Sequence, residues 1–240
     1  VYYALVSRQV IKNNRSQYQA VSKALVRARK EGQIPWDWIE DRLRRPRQVQ
    51  MYDGLKDFAG GWVWQYKRNV WEDQPGYVEC WLEKDALSGV FEEILWRYGV
   101  TLNVGRGYDG WDSLYRAAER FRDAKWANGP PPGAPGAPEA EWMKDVTILY
   151  FGDFDPSGED MVRSLRERLG FFGCHPRIVK CALTLEDIEH YGLPPNFTKQ
   201  TDTRTAGFVE KYGDISVELD ALPVDVLRER IRTEVESYVD

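Results

Sequence analysis

Ile148-Leu149-Tyr150-Phe151-Gly152-Asp153-Phe154-Asp155-Pro156-Ser157-Gly158 decides the fold. Four apolar residues lead into two aspartates one residue apart, and a Pro-Ser-Gly turn then opens a helical pattern over 157–169. A short, continuous apolar run followed by a helix is the sign of a buried parallel strand in a βα unit. The same order recurs on both sides. Tyr77 to Leu82 reads as a strand and 85–98 as a helix; 100–104 reads as a strand and 111–124 as a helix. Arg177 to Cys181 reads as a strand, 185–191 as a short helix and 223–239 as a closing amphipathic helix. Repeated βα units predict an α/β fold, a parallel sheet with helices on both faces.

In such a sheet, carboxylates at the C-terminal ends of strands face the crevice where ligands bind. Asp153 and Asp155 end one strand. Glu83 ends another, in Val78-Glu79-Cys80-Trp81-Leu82-Glu83-Lys84-Asp85-Ala86-Leu87. Acids so close together stay ionised cheaply only with a cation between them. An oxygen-only ligand set favours Mg²⁺. Glu83, Asp153 and Asp155 are therefore the expected metal ligands, with Glu83 also able to act as a general acid or base. The competing reading makes Asp155 a helix cap and Asp153 an ordinary turn residue.

The net charge of −5 hides an asymmetry: residues 1–50 hold eleven Lys/Arg against four Asp/Glu, +7, so the remainder carries −12. Residues 1–13 start helical, Asn13-Asn14-Arg15-Ser16 is a turn with a helix cap, and a helix follows over 17–30. Tyr18, Val21, Leu25 and Ala28 would form one face, and Lys23, Arg27, Arg29 and Lys30 the other. Helix, turn, basic helix and a short extended piece outline a winged helix whose second helix enters the DNA major groove. The expected organisation is a winged-helix-like DNA-binding module over 1–46, a helical connector over 47–75, and a metal-binding α/β domain over 76–240. A Gly/Pro-rich loop at 129–138 interrupts that domain. A polar cluster of Lys199, Asp202 and Arg204 is a further candidate for phosphate contact near the sheet edge. Glu218 and Asp220 read as acids leading into the last helix rather than as ligands.

With 42% hydrophobic and 30% charged residues, the chain can build a core, and global disorder is excluded. Three cysteines are too few and odd in number for a disulfide framework, and Cys174, His175 and Cys181 lack zinc-site spacing. Buried free thiols in a reducing cytosol are expected. No apolar run approaches the ~20 residues that span a bilayer, and no signal peptide is visible. A cytoplasmic, nucleoid-associated protein is the expectation. The chain opens at Val1 on residues that already read as mid-helix, so a short preceding segment is expected.

LEKDAL and GDFDPSG, with a glutamate at one strand end and Asp-x-Asp two units later, resemble the Toprim signature. The fuller strings are most similar to the A subunit of topoisomerase VI and its relative, the meiotic double-strand-break transesterase. In that family a winged-helix domain precedes the Toprim domain and carries the catalytic tyrosine in an Arg-x-(Ile/Leu)-Tyr-Tyr motif; this chain opens Val1-Tyr2-Tyr3, and the motif's arginine is not in it. The resemblance covers most of residues 1–170. It implies Tyr3 as nucleophile, Arg8 as a nearby helper, Mg²⁺ on Glu83, Asp153 and Asp155, and 5′-phosphotyrosyl transesterification of double-stranded DNA. It also implies a homodimer, with tyrosine and metal from different protomers. No ATPase segment is visible, so strand passage would need a separate B-type subunit. Two other readings stay open: a Toprim nuclease that uses water, and a non-catalytic DNA-binding subunit of a larger complex.

Overall fold

The computed structural model describes residues 1–240 except 9, 13, 40–50, 64–68, 106–109, 127–134, 137, 139–141, 196–204 and 240; the side chains at 3, 4, 7, 37, 205 and 206 also lie outside the description. The chain divides into two compact units, Val1–Arg68 and Asn69–Asp240.

The larger unit is mixed α/β. Strands β1 (Gly76–Leu82), β2 (Thr101–Val104), β3 (Asp145–Phe151) and β4 (Arg177–Ala182) pair in the order β2-β1-β3-β4, all parallel. The apolar runs predicted as strands are these strands, shifted by a residue or two at their ends. Alternation along them sorts side chains to two faces. Val78, Cys80 and Leu82 of β1, with Leu149 and Phe151 of β3, face one core. Helices α4 (Ser88–Tyr98) and α9 (Val224–Glu236) cover it with Phe91, Leu95, Leu227, Ile231 and Val235. Trp81, Ile148 and Tyr150 face the other core. There α5 (Trp111–Asp123) and α6 (Pro156–Phe171) contribute Leu114, Phe121, Met161, Leu165 and Leu169.

This three-layer build sets the position of the site. From β1 the chain crosses by α4 to β2 on one side, then by α5 past β1 to β3, and by α6 to β4. The winding direction reverses between β1 and β3. The ends of these two strands form the topological switch point, where open α/β sheets leave a crevice. Glu83 follows β1 and Asp153 follows β3.

Two further helices complete the unit. α7 (Leu185–Tyr191) starts with a capping box of Thr184 and Asp187. α8 (Thr205–Tyr212) lies where no helix is predicted from the sequence; its Phe208 packs on Phe154, ring centroids 5.3 Å apart. The predicted free thiols are present, since Cys80, Cys174 and Cys181 are all buried and unbridged. Among the described residues no helix is long and apolar enough to cross a membrane.

The smaller unit contains α1 (Tyr2–Ser7), α2 (Arg15–Lys30), a 3₁₀ turn at Trp36–Trp38 and α3 (Leu55–Val63). Asn14 caps α2, its side chain accepting the Gln17 amide at 2.9 Å. Tyr2 is buried, meets the Tyr18 ring edge-on at 5.2 Å, and donates its hydroxyl to the Asn14 carbonyl at 3.1 Å. These contacts close the helix-turn-helix. The unit has no strand among its described residues.

Candidate metal centre

Glu83 leaves β1 with its backbone still tied to the sheet, its amide donating to the Phe151 carbonyl at 3.0 Å. Its carboxylate is aimed across the switch point. Oε2 accepts the Tyr150 hydroxyl at 3.1 Å and the Asp153 amide at 3.2 Å. Gly152 makes this approach possible: a Cβ there would sit 2.7 Å from Glu83 Oε2 and 2.5 Å from the Tyr150 hydroxyl oxygen.

Asp153 lies beside it. Its Oδ1 accepts the Leu219 amide at 2.7 Å. Phe154 and Val217 exchange backbone hydrogen bonds at 2.8 and 2.9 Å, which lays the 217–220 segment along the Asp-Phe-Asp turn. Asp155 is placed differently. It is the N-cap of α6, with Oδ1 accepting the Gly158 amide at 2.7 Å and Pro156 opening the helix. The capping role weighed against a ligand role is the one this carboxylate fills here with one oxygen. Gly158 is required in that turn, because a Cβ would run into the Asp153 carbonyl oxygen.

Burial pushes the Glu83 carboxyl above the ordinary carboxylate range, and the Asp153 charge adds to it; the Asp153 amide and Tyr150 hydroxyl only partly offset this. Asp153 is also raised, first by burial; Lys84 and the Leu219 amide oppose the rise, and Asp155 and Glu218 reinforce it. Both acids are held close together at an electrostatic cost that a cation would relieve. That is the physical fit of these residues to Mg²⁺, with oxygen donors only. Among the described residues no three His, Cys, Asp or Glu side chains are gathered as a ready ligand group. Glu83 and Asp153 are thus the pair that could hold an ion, with water completing its shell.

Sequence reasoning missed the other half of the crevice. Lys84, next to Glu83, reaches Glu218 Oε2 at 3.0 Å and Asp220 Oδ2 at 2.9 Å. Glu218 and Asp220 are therefore not simply acids leading into α9: Glu218 precedes and Asp220 lies within a 3₁₀ turn at Leu219–Ala221, and both pair with Lys84. Burial opposes the Lys84 charge, but Asp153, Asp220 and Glu218 outweigh it and raise its pKa. Burial pushes Asp220 up to about 7, despite Lys84. The available signal was the acid-x-acid spacing of Glu218 and Asp220, which repeats that of Asp153 and Asp155. At the rim, Lys180 pairs with Glu159 and lies 3.5 Å from the Asp153 carbonyl.

These raised pKa values predict a pH dependence. A carboxyl whose folded pKa exceeds its unfolded value binds more protons folded than unfolded, so stability falls as pH rises between the two. The metal-free protein should lose stability from about pH 4, near the ordinary carboxylate values, through about pH 7, the folded value of Asp220. Thermal melts in EDTA across that range check this; a flat or rising melting temperature contradicts it.

On α2, Lys23, Arg27 and Lys30 are exposed and share one stripe at i, i+4 and i+7. Arg29 does not join them. It stacks on Trp36 at 4.3 Å and donates to the Trp36 carbonyl at 2.8 Å, a correction to the expected basic face. Arg8 is exposed just after α1. Tyr3 lies within α1, but its side chain is outside the described residues, as are Lys199, Asp202 and Arg204 entirely. No family model, curated protein or solved structure matches this chain.

Proposed function

We propose that this chain cleaves double-stranded DNA by Mg²⁺-dependent tyrosine transesterification, in the manner of a type IIB topoisomerase A subunit. The observation that carries the reading is the meeting of Glu83 and Asp153 at the switch point, where the half-buried Glu83 carboxylate accepts the Asp153 amide and its pKa is raised by burial and by the Asp153 charge. The Toprim-like order of the acidic motifs supports it, as does the exposed Lys23, Arg27 and Lys30 stripe. Bound Mg²⁺ would neutralise charge on the scissile phosphodiester.

The chain's own residues would divide the remaining work. Glu83 and Asp153 hold the ion, and Asp155 adds its second oxygen while capping α6. Lys23, Arg27 and Lys30 contact backbone phosphates, which makes binding salt-dependent. Lys199 and Arg204 are proposed phosphate contacts. Tyr3 supplies the nucleophile. Its phenolic oxygen gives its proton to water and forms a bond to phosphorus, the bond to the 3′ oxygen breaks, and that oxygen leaves as a hydroxyl after taking a proton from water. A phenol with an ordinary pKa near 10 needs cationic help, and Arg8 is proposed for it. In this reading the protein acts as a homodimer at the nucleoid, with a separate ATPase subunit for strand passage.

The test is plasmid cleavage with Mg²⁺, stopped with SDS and divided with and without protease. Cleaved DNA that enters the gel only after proteolysis is expected, and Tyr3→Phe should abolish it. Identical products in both lanes would replace transesterification by hydrolysis. Salt-sensitive binding without cleavage would leave a DNA-binding subunit.

A further inference from the structure

The acidic crevice already contains a cation, and it belongs to the chain. We propose that the Lys84 ammonium stands where a second divalent ion would otherwise sit, so that the site takes one divalent cation per chain. This rests on the metal-site reading above.

Lys84 Nζ lies 2.9 Å from Asp220 Oδ2 and 3.0 Å from Glu218 Oε2, between two carboxylates spaced one residue apart. The residue between them, Leu219, is bonded to Asp153 Oδ1 at 2.7 Å. Lys84 and Asp153 are thus joined through one short turn, and Asp153 borders both the Glu83 side and the Lys84 side of the crevice. A carboxylate shared between two cation positions is how dinuclear sites hold ions about 3.5–4 Å apart. Here the second position is filled by a side chain that follows a metal-ligand candidate directly in sequence.

Asp220 gives an independent sign that this position is built for a cation. It is only 7% exposed, and its Oδ1 accepts no hydrogen bond among the described residues. A buried, unpartnered carboxylate oxygen calls for an explanation. Lys84 delivers one positive charge to a group of acids that includes Glu218, Asp220, Asp153 and Glu83, so negative charge remains in excess after the ion pairs form. Its side chain is 23% exposed and anchored at two points. It therefore behaves as a resident charge, unlike an ion that exchanges with solution. The acids it occupies would ligate a divalent ion if the ammonium were removed, since oxygen donors at one crevice suit Mg²⁺ or Mn²⁺.

Mn²⁺ titration of the full chain, read by calorimetry and electron paramagnetic resonance, tests this. The native chain should bind one Mn²⁺ with the spectrum of an isolated ion. Lys84→Met, close in length and uncharged, should bind two with the signature of a coupled pair. Lys84→Arg should stay at one, and adding Glu218→Gln and Asp220→Asn to Lys84→Met should return it to one. Two coupled ions in the native chain would overturn the proposal, whatever the variants do. So would a folded Lys84→Met that still binds one. No Mn²⁺ on the native chain would overturn the metal-site reading itself, and this inference with it.

Discussion

Asp153→Asn is expected to lower Mg²⁺-dependent DNA cleavage by about 10³-fold while leaving the metal-free protein at least as stable as native. The two effects have one cause. A metal at a phosphoryl centre supplies several kcal/mol of charge stabilisation, and at 1.36 kcal/mol per decade about 4 kcal/mol is 10³-fold. Asn keeps the Oδ1 acceptor that Leu219 needs. It removes the charge that burial and the neighbouring acids disfavour. A residue that merely supported the fold would lose stability and activity together. Initial cleavage rates and melts in EDTA separate the cases. A variant of unchanged activity contradicts the assignment, and one that loses activity only by unfolding does too. Glu83→Gln should behave alike, keeping an acceptor for Tyr150 and the Asp153 amide.

Arg120→Ala should destabilise the larger unit by about 1–3 kcal/mol, the cost of leaving the buried Glu79 carboxylate without its half-exposed charge partner. Glu79 sits in the central strand β1 with no solvent exposure. Arg120 of α5 reaches it with Nε at 2.6 Å and Nη2 at 3.0 Å. The Tyr77 hydroxyl donates to it at 2.9 Å and Trp81 Nε1 at 3.0 Å. Burial and the Glu79 charge push the Tyr77 phenol up to about 12, so it stays a donor. Without Arg120 the carboxylate keeps two neutral donors and loses this charge partner. Denaturant unfolding of Arg120→Ala, Glu79→Gln and the double variant forms a cycle. The loss should shrink strongly when Glu79 is already Gln; an equal loss in both backgrounds contradicts the account.

The sheet was legible because parallel strands buried on both faces are written as continuous apolar runs. The pairing of Glu83 with Asp153 followed from strand ends alone, since parallel strands bring their C-terminal ends to one edge. What failed were contacts that no local period encodes. Lys84 and Glu218 stand 134 positions apart, and nothing in either stretch points to the other. Glu79 was one residue in a strand-like run until α5 brought Arg120 onto it. α8 was hidden by the polar residues before it, though Phe208 and Tyr212 recur at helical spacing. Arg29 was grouped with its neighbours by composition, where the 3.6-residue period places it on the other side of α2. Asp155 carried both turn chemistry and ligand chemistry, and only the geometry at Gly158 shows the cap.

The most direct test of the central claim is anomalous diffraction from crystals of the full chain soaked in Mn²⁺. A peak bonded to Glu83 and Asp153 at the ends of β1 and β3 is the predicted result. Mn²⁺ bound elsewhere with that crevice empty, or held there by water alone, would contradict it.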